Sequence, residues 1–255
     1  MYNLRLYHDD DQTAFHREAL VYFSQCGMSQ TLSLGELLRL TSDSAVEDYR
    51  ERGMSYGFLA EHNIAILVSR LSFRFHAMPQ GNQRVNVATW EEKPEALQLK
   101  RAYELTDEGG GRLVSGLSAW LLVNPATRRI IPTKDFTLRP PRDWEKEHDC
   151  LKPGKIILPP DMELWHERTI CLSDIDANGH ANNSRYGAFV EDALPPAYRN
   201  RAFTDFRLNY SREAKLDQKM QVFGKTDDEA RKLVMAGKTE DGNSFEAELY
   251  WKRAA

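Results

Sequence analysis

Apolar positions along the first half of the chain switch between two spacings. Short alternating segments at Asn3–Tyr7 and Ala19–Phe23 read as strands. Ser33 followed by Glu36 is a capping-box pair. Leu34, Leu37, Leu38, Thr41, Ala45 and Tyr49 then recur at helical spacing, and Gly53 is a natural stop. Four strand-like runs follow, at Ile64–Phe75, Gln83–Trp90, Ala96–Leu105 and Leu113–Val123. Pro79-Gln80-Gly81 and Gly109-Gly110-Gly111 supply turns between them. The pattern predicts one helix followed by a four-strand antiparallel meander.

Residues 132–162 break the pattern. Six of the eleven prolines lie there (Pro132, Pro140, Pro141, Pro153, Pro159 and Pro160), charge is dense and no periodicity holds. This segment reads as a linker. The plan then repeats: a strand at Trp165–Cys171, a polar loop, and a helix over 183–193 carrying Tyr186, Phe189, Val190 and Ala193. Pro195-Pro196 end the helix. Strand runs follow at Thr204–Tyr210, Lys219–Lys225, Arg231–Lys238 and Ser244–Lys252. At a constant offset of about 135 residues, Leu71, Phe73, Phe75, Val85 and Val87 fall on Phe206, Leu208, Tyr210, Met220 and Val222. Such self-similarity indicates a duplicated unit. The predicted fold is α+β: a tandem (double) hot-dog, two curved antiparallel sheets each wrapping a central helix. Residues 1–131 form the N-terminal half, 132–162 the linker and 163–255 the C-terminal half.

Composition narrows the function classes. The chain has 255 residues, 41% hydrophobic and 28% charged, enough for a packed core. A net charge of −4 with no basic block speaks against nucleic acid, whose phosphates need clustered Lys and Arg. Cys26, Cys150 and Cys171 are odd in number and far apart, which fits a reducing compartment and no disulfide framework. The N-terminus, MYNLRLYHDDD, is not a secretory signal, and no apolar run approaches the ~18 residues of a membrane span. No metal-ligand spacing is present. A cytoplasmic protein without metal or cofactor is expected.

The segment Leu172-Ser-Asp-Ile-Asp-Ala-Asn-Gly-His-Ala-Asn-Asn-Ser-Arg-Tyr carries the candidate chemistry. Asp176, Asn178 and His180 alternate, and in an extended segment a period of two puts them on one face. His180 suits proton transfer near neutral pH, with Asn178 and Asp176 to orient it. A helix beginning just after it would offer N–H donors and a positive dipole end to a developing oxyanion. Asn182 and Asn183 read as helix caps.

Those residues resemble a family. Asp176-Ala-Asn178-Gly-His180-Ala-Asn182-Asn183-Ser-Arg-Tyr186 resembles the D-x-N-x-H-V-N-N-x-K-Y signature of acyl-acyl carrier protein thioesterases. Asn124-Pro-Ala-Thr-Arg-Arg resembles that family's N-x-x-T-R-R, Val85–Trp90 its V-x-V-x-T-W, and Tyr210-Ser-Arg-Glu213-Ala214 its Y-R-R-E-C. The resemblance implies hydrolysis of a fatty acyl thioester, with Asp176, Asn178, His180 and Glu213 as the catalytic set. It implies an acyl carrier protein bearing a fatty acyl-phosphopantetheine arm as partner, to a monomer or homodimer. Ala214 departs from the family's Cys, so a cysteine nucleophile is excluded at that position. Cys171, on a strand, reads as a small buried hydrophobe. A carboxylate route remains, by water activation or by a transient anhydride.

The first half lacks the motif: its loop reads Ser24-Gln-Cys-Gly-Met-Ser-Gln-Thr-Leu-Ser, and Met78 stands where Glu213 stands. One site per chain is expected. The resemblance implies that the first half holds the acyl chain between helix and sheet, with Leu37, Leu38, Leu40 and Tyr49 as candidate liners. Arg128, Arg129, Arg139, Arg142, Arg185, Arg199 and Arg201 are candidates to face an acidic carrier protein. An acyl-CoA thioesterase, a hot-dog dehydratase and a non-catalytic acyl-binding module are the competing readings.

Overall fold

The computed structural model describes residues 3–143 and 145–252. The outermost positions of the two expected halves (1–2 and 253–255) and position 144 of the expected linker lie outside the described residues. Strands β1 (Asn3–His8) and β2 (Phe15–Leu20) open the chain. Helices α1 (Leu34–Glu51) and α2 (Tyr56–Glu61) follow, then β3 (Ala65–Phe75), β4 (Arg84–Glu92), β5 (Leu99–Asp107), β6 (Arg112–Asn124) and β7 (Arg129–Ile131). The second half comprises β8 (Glu163–Thr169), α3 (Arg185–Asp192), β9 (Phe203–Tyr210), β10 (Lys219–Asp227), β11 (Lys232–Thr239) and β12 (Gly242–Trp251).

Two antiparallel half-sheets meet edge to edge. The strand order is β1-β2-β4-β5-β6-β3-β9-β12-β11-β10-β8, with β7 beside β6. The expected simple meander is therefore wrong in one respect. β3 pairs with β6 and β9, not with β4. It crosses to the inner edge because that edge must be covered, and the other half supplies the cover. The second half has the matching order, β8-β10-β11-β12-β9. At the seam Ser72 lies opposite Arg207, Leu71 opposite Leu208 and Phe73 opposite Phe206. Ser72 thus faces its own equivalent under the sequence offset, and the flanking pairs are related by a pseudo-twofold axis through it.

The helices lie against this sheet. Ser33 caps α1, its hydroxyl accepting the Glu36 N–H. Only this half of the expected capping box forms, because the Glu36 carboxylate turns to Gln25 and Arg39. The helix closes with Gly53 N–H on the Arg50 carbonyl and Met54 N–H on Tyr49, a Schellman ending that requires the positive φ of Gly53. The α1 residues Leu34, Leu37, Leu38, Leu40 and Ala45 share one core with Tyr186, Phe189 and Val190 of α3 and with both half-sheets. α1 and α3 touch backbone to backbone: a Cβ on Gly187 would lie 2.5 Å from the Gly35 nitrogen. The half-buried Glu191 of α3 accepts the free Leu34 N–H at the start of α1.

The connecting segment is packed rather than loose. Phe136 is buried with Tyr49, Met54, Leu59 and Leu122, so the first core runs past residue 131. Further on, His148 pairs with Glu92, Asp149 with Arg74 and Glu145 with Lys100, pinning the segment across the sheet. A second departure lies at the N-terminus, where the strand expected at Ala19–Phe23 is Phe15–Leu20 and Phe23–Gln25 is a 3-10 turn.

Candidate active site

The loop before α3 is built by local chemistry. Leu172–Asp174 forms a 3-10 turn, then Ile175 and Ala181 pair as an isolated bridge. Between them the chain reverses: Gly179 N–H bonds the Asp176 carbonyl at 3.0 Å and Asp176 N–H bonds the His180 carbonyl at 3.0 Å. The positive φ of Gly179 (84°) makes the reversal possible. Asp176 Oδ1 accepts the Asn178 N–H at 2.8 Å, an Asx turn. The motif is thus a tight turn and not the extended segment expected from its alternation.

The turn nevertheless brings three of the four expected residues together. His180 Nδ1 lies 3.9 Å from Asp176 Oδ1, and His180 Nε2 lies 3.6 Å from Glu213 Oε1. Glu213 arrives from just beyond β9, and the Ala181 N–H bonds the Ala214 carbonyl at 2.8 Å, fastening the two segments side by side. The imidazole is 24% exposed and Glu213 45%, so the group opens to solvent. These contacts are longer than hydrogen bonds. Asn178 is exposed at the tip of the turn, and among the described residues its side chain holds no hydrogen bond to the other three.

Several further expectations are corrected. The helix begins at Arg185 rather than 183, and the Arg185 and Gly187 N–H groups are already bonded to the Asn182 and Ser184 carbonyls. Those two are spent inside the turn and do not face an oxyanion. Asn182 does take the Ser184 N–H, as a lead-in rather than an N-cap, which is Ser184. Asn183 instead offers its carbonyl to the Tyr210 hydroxyl. Cys171 is exposed, not buried, because the strand ends at Thr169.

A narrow cleft of about 20 Å³ is shared by the two halves, lined by Leu38, Thr41, Leu71, Phe73, Tyr103 and Trp120 of the first and by Asn183 and Tyr210 of the second. Of the expected liners only Leu38 is among them. Leu37 and Leu40 are core, and Tyr49 is committed to a buried ionic cluster. In that cluster Tyr49 and Arg139 bond Glu91, and Arg101 bonds Asp48 at 2.9 Å. Arg139 is therefore not available to a partner. A polar groove of about 400 Å³ lies on the side of Asp176, between Glu36, Arg39 and Asp43 of α1 and Ser173, Asn182 and Arg185. Ser42 and Ser184 line both groove and cleft.

The same loop exists in the first half, stripped of its acid–base groups. Cys26 and Leu32 form the bridge, Gly27 N–H bonds the Thr31 carbonyl, Gln30 N–H bonds the Gly27 carbonyl and Leu32 N–H bonds the Pro79 carbonyl. Gly27, Ser29, Thr31 and Met78 stand where Asp176, Asn178, His180 and Glu213 stand. Sequence reasoning missed Asp174, which is 1% exposed and bonds both Arg168 and Arg185. Its signal was its place in the motif segment, where a solvated carboxylate would read the same.

Comparison with known proteins gives a consistent picture. The family model for the acyl-ACP thioesterase N-terminal domain matches residues 12–138, and that for the C-terminal domain residues 160–253. A chloroplastic palmitoyl-acyl carrier protein thioesterase of Gossypium hirsutum is 23% identical over 228 residues, covering 83% of this chain and 54% of its own length. An acyl-[acyl-carrier-protein] hydrolase of Cuphea viscosissima is 19% identical over 224 residues, with the same coverage. The chain thus spans about half the length of these curated relatives. Crystal structures show the same fold. An acyl-ACP thioesterase from Bacteroides thetaiotaomicron superposes with a TM-score of 0.85 at 21% identity, covering 94% of this chain and 98% of the other. The 12:0-ACP thioesterase from Umbellularia californica gives 0.79 at 18% identity, covering 94% and 97%. With family models matching both halves in order, this double hot-dog chain belongs to the acyl-ACP thioesterase family.

Proposed function

We propose that this protein hydrolyses the thioester of fatty acyl-acyl carrier protein, releasing free fatty acid and ending chain elongation. The observation that carries the reading is His180 held between Asp176 and Glu213, in a chain of this family whose two halves share an apolar cleft. Water attacks the carbonyl carbon as His180, paired with Glu213, takes one of its protons, and the C–S bond breaks as His180 gives that proton to the departing thiolate. Asp176 fixes the ring from its other nitrogen, and Asn178 contacts the substrate from the tip of the turn. Ala214 is fully buried and offers no nucleophile. Attack by a carboxylate to give an anhydride is the competing route through the same residues.

We assign acyl-chain binding to the first half, 1–131, and catalysis to the second, 163–255, with 132–162 joining them. The cleft must widen to admit a chain, since about 20 Å³ holds roughly one water. Every residue of the site comes from one chain, so a monomer suffices. The three thiols are free, which suits a reducing compartment such as the cytoplasm. No helix among the described residues is long and apolar enough to cross a membrane. The deciding experiment is free-thiol release from palmitoyl- or oleoyl-acyl carrier protein and from the same acyl group on CoA, for wild type and Glu213→Gln. Release from the carrier protein, with slow release from CoA and collapse in the variant, is the expected result. Comparable CoA rates would reassign the substrate, and binding without release from either would leave an acyl-binding module.

A further inference from the structure

We infer that Asp174 is a positioning residue, which with Arg168 and Arg185 holds the His180 loop in its working geometry. This rests on the reading of His180 as catalytic. Asp174 is 1% exposed and ties four segments together. One carboxylate oxygen accepts the Cys171 N–H at 3.0 Å and Arg168 at 3.1 Å, and the other accepts Arg185 Nε at 2.8 Å. Its backbone carbonyl accepts the Asn182 N–H at 2.8 Å. Entry to the loop, exit from it, strand β8 and the first turn of α3 all meet at this residue. Asp176 and His180 lie between the tie points.

The first half contains the same brace in another chemistry. Gln25, 5% exposed, accepts the Tyr22 N–H at 2.9 Å, donates to Glu36 at 2.9 Å and takes the Ser33 N–H on its carbonyl at 3.0 Å. Tyr22, Gln25, Ser33 and Glu36 correspond one for one to Cys171, Asp174, Asn182 and Arg185. Ala19 stands where Arg168 stands: each pairs across to the equivalent strand, opposite Val85 and Met220 respectively. An amide with a carboxylate is therefore enough to build the loop. The half that carries His180 uses a buried carboxylate clamped by two guanidiniums, whose charge-assisted bonds are shorter and about twice as strong as neutral ones. Arg168 also lies 3.8 Å over the Phe189 ring and reaches Asp192 at 3.1 Å, which extends the clamp along α3.

The test uses Asp174→Ala and the double variant Asp174→Gln/Arg185→Glu, which grafts the pair found in the first half. Asp174→Ala should lower kcat at least about 30-fold with KM changed less than about 3-fold, in protein that stays folded by circular dichroism. The double variant should regain kcat to within about 5-fold of wild type. A kcat for Asp174→Ala within about 3-fold of wild type would overturn the inference. So would a folded double variant no faster than Asp174→Ala. Hydrogen exchange at the Asp176 and Ala181 amides gives a readout independent of thioester cleavage: protection should fall in Asp174→Ala and return in the double variant. Inactive wild type with this exchange pattern would defeat the catalytic reading and leave the brace standing. Unchanged exchange in Asp174→Ala would defeat the brace alone.

Discussion

At the scale of single residues, the proposed chemistry rests on placement around one imidazole. His180 has a carboxylate near each ring nitrogen, from its own turn and from a separate strand end. A positioned acid–base group contributes typically about 100- to 10,000-fold in rate. His180→Gln and Glu213→Gln should each therefore lose activity in that range while melting near the wild-type temperature, as steady-state kinetics beside thermal denaturation will show. Thr31 and Met78 occupy the matching places in the first half but cannot transfer protons, so Thr31→Ala should leave kcat within about 2-fold. A larger loss at Thr31 would mean that the first half contributes chemistry. Leu38 and Leu71 line the cleft from helix and sheet. Replacing Leu71 with Trp should shift product chain length downward in a competition among acyl groups, whereas an equal loss for all lengths would remove the cleft from acyl binding.

At the scale of elements, the two central helices are locked by small residues. Gly187 leaves no room for a side chain, since its Cβ would sit 2.5 Å from the Gly35 nitrogen and 2.6 Å from the Leu34 carbonyl carbon. Both are backbone atoms and neither can swing aside. Gly187→Ala should destabilise by about 1–3 kcal/mol through overpacking, measured by urea unfolding. Because α3 follows the His180 loop directly, the same change should also lower kcat. Glu191 joins the helices from the other direction. Burial pushes its carboxyl above the ordinary range, against the opposing pull of the Leu34 and Gly35 N–H groups.

At the scale of the whole molecule, stability should depend on pH through the buried ionic cluster of the first half. Burial pushes the Asp48 carboxyl up, but Arg101, Arg52 and His8 outweigh it and hold it below the usual carboxylate range. Asp174 behaves alike: burial raises it, while the Cys171 N–H, Arg185 and Arg168 bring it down. A carboxyl lower in the folded than in the unfolded state adds stability that is present above the unfolded value of about 3.9 and lost as pH falls through the folded one. The urea midpoint should therefore decline as pH drops below about 4. In Asp48→Asn that slope should flatten, while the midpoint at neutral pH drops because the buried Arg101 loses its nearer carboxylate and keeps only Glu91 at 3.9 Å.

Much of the element pattern, and the candidate site residues, could be read from the chain alone. Periodicity located α1, α3 and nearly all strands, because burying one face imposes a period on each element. The offset that sets Leu71 on Phe206 revealed the duplication, which the seam displays as a pseudo-twofold centred on Ser72 and Arg207. The motif singled out His180, since few residue types can move a proton at neutral pH, and the family resemblance added Glu213. α2 was not legible: six residues carry too little periodicity to show. Tertiary structure alone decided the rest. β3 sits at the seam because an open edge there had to be covered, and the partner edge lies far along the chain. The liners of the cleft depend on how helix and sheet interlock, so Leu38 lines it while Leu37 and Leu40 vanish into core. Alternation suggested an extended Asp176–His180 segment, yet the Gly179 reversal and the Ala181–Ala214 bond fold it into a turn. Asp174 shows the difference most clearly, because a carboxylate becomes a brace only when arginines on a strand and on a helix either side of it are folded onto it.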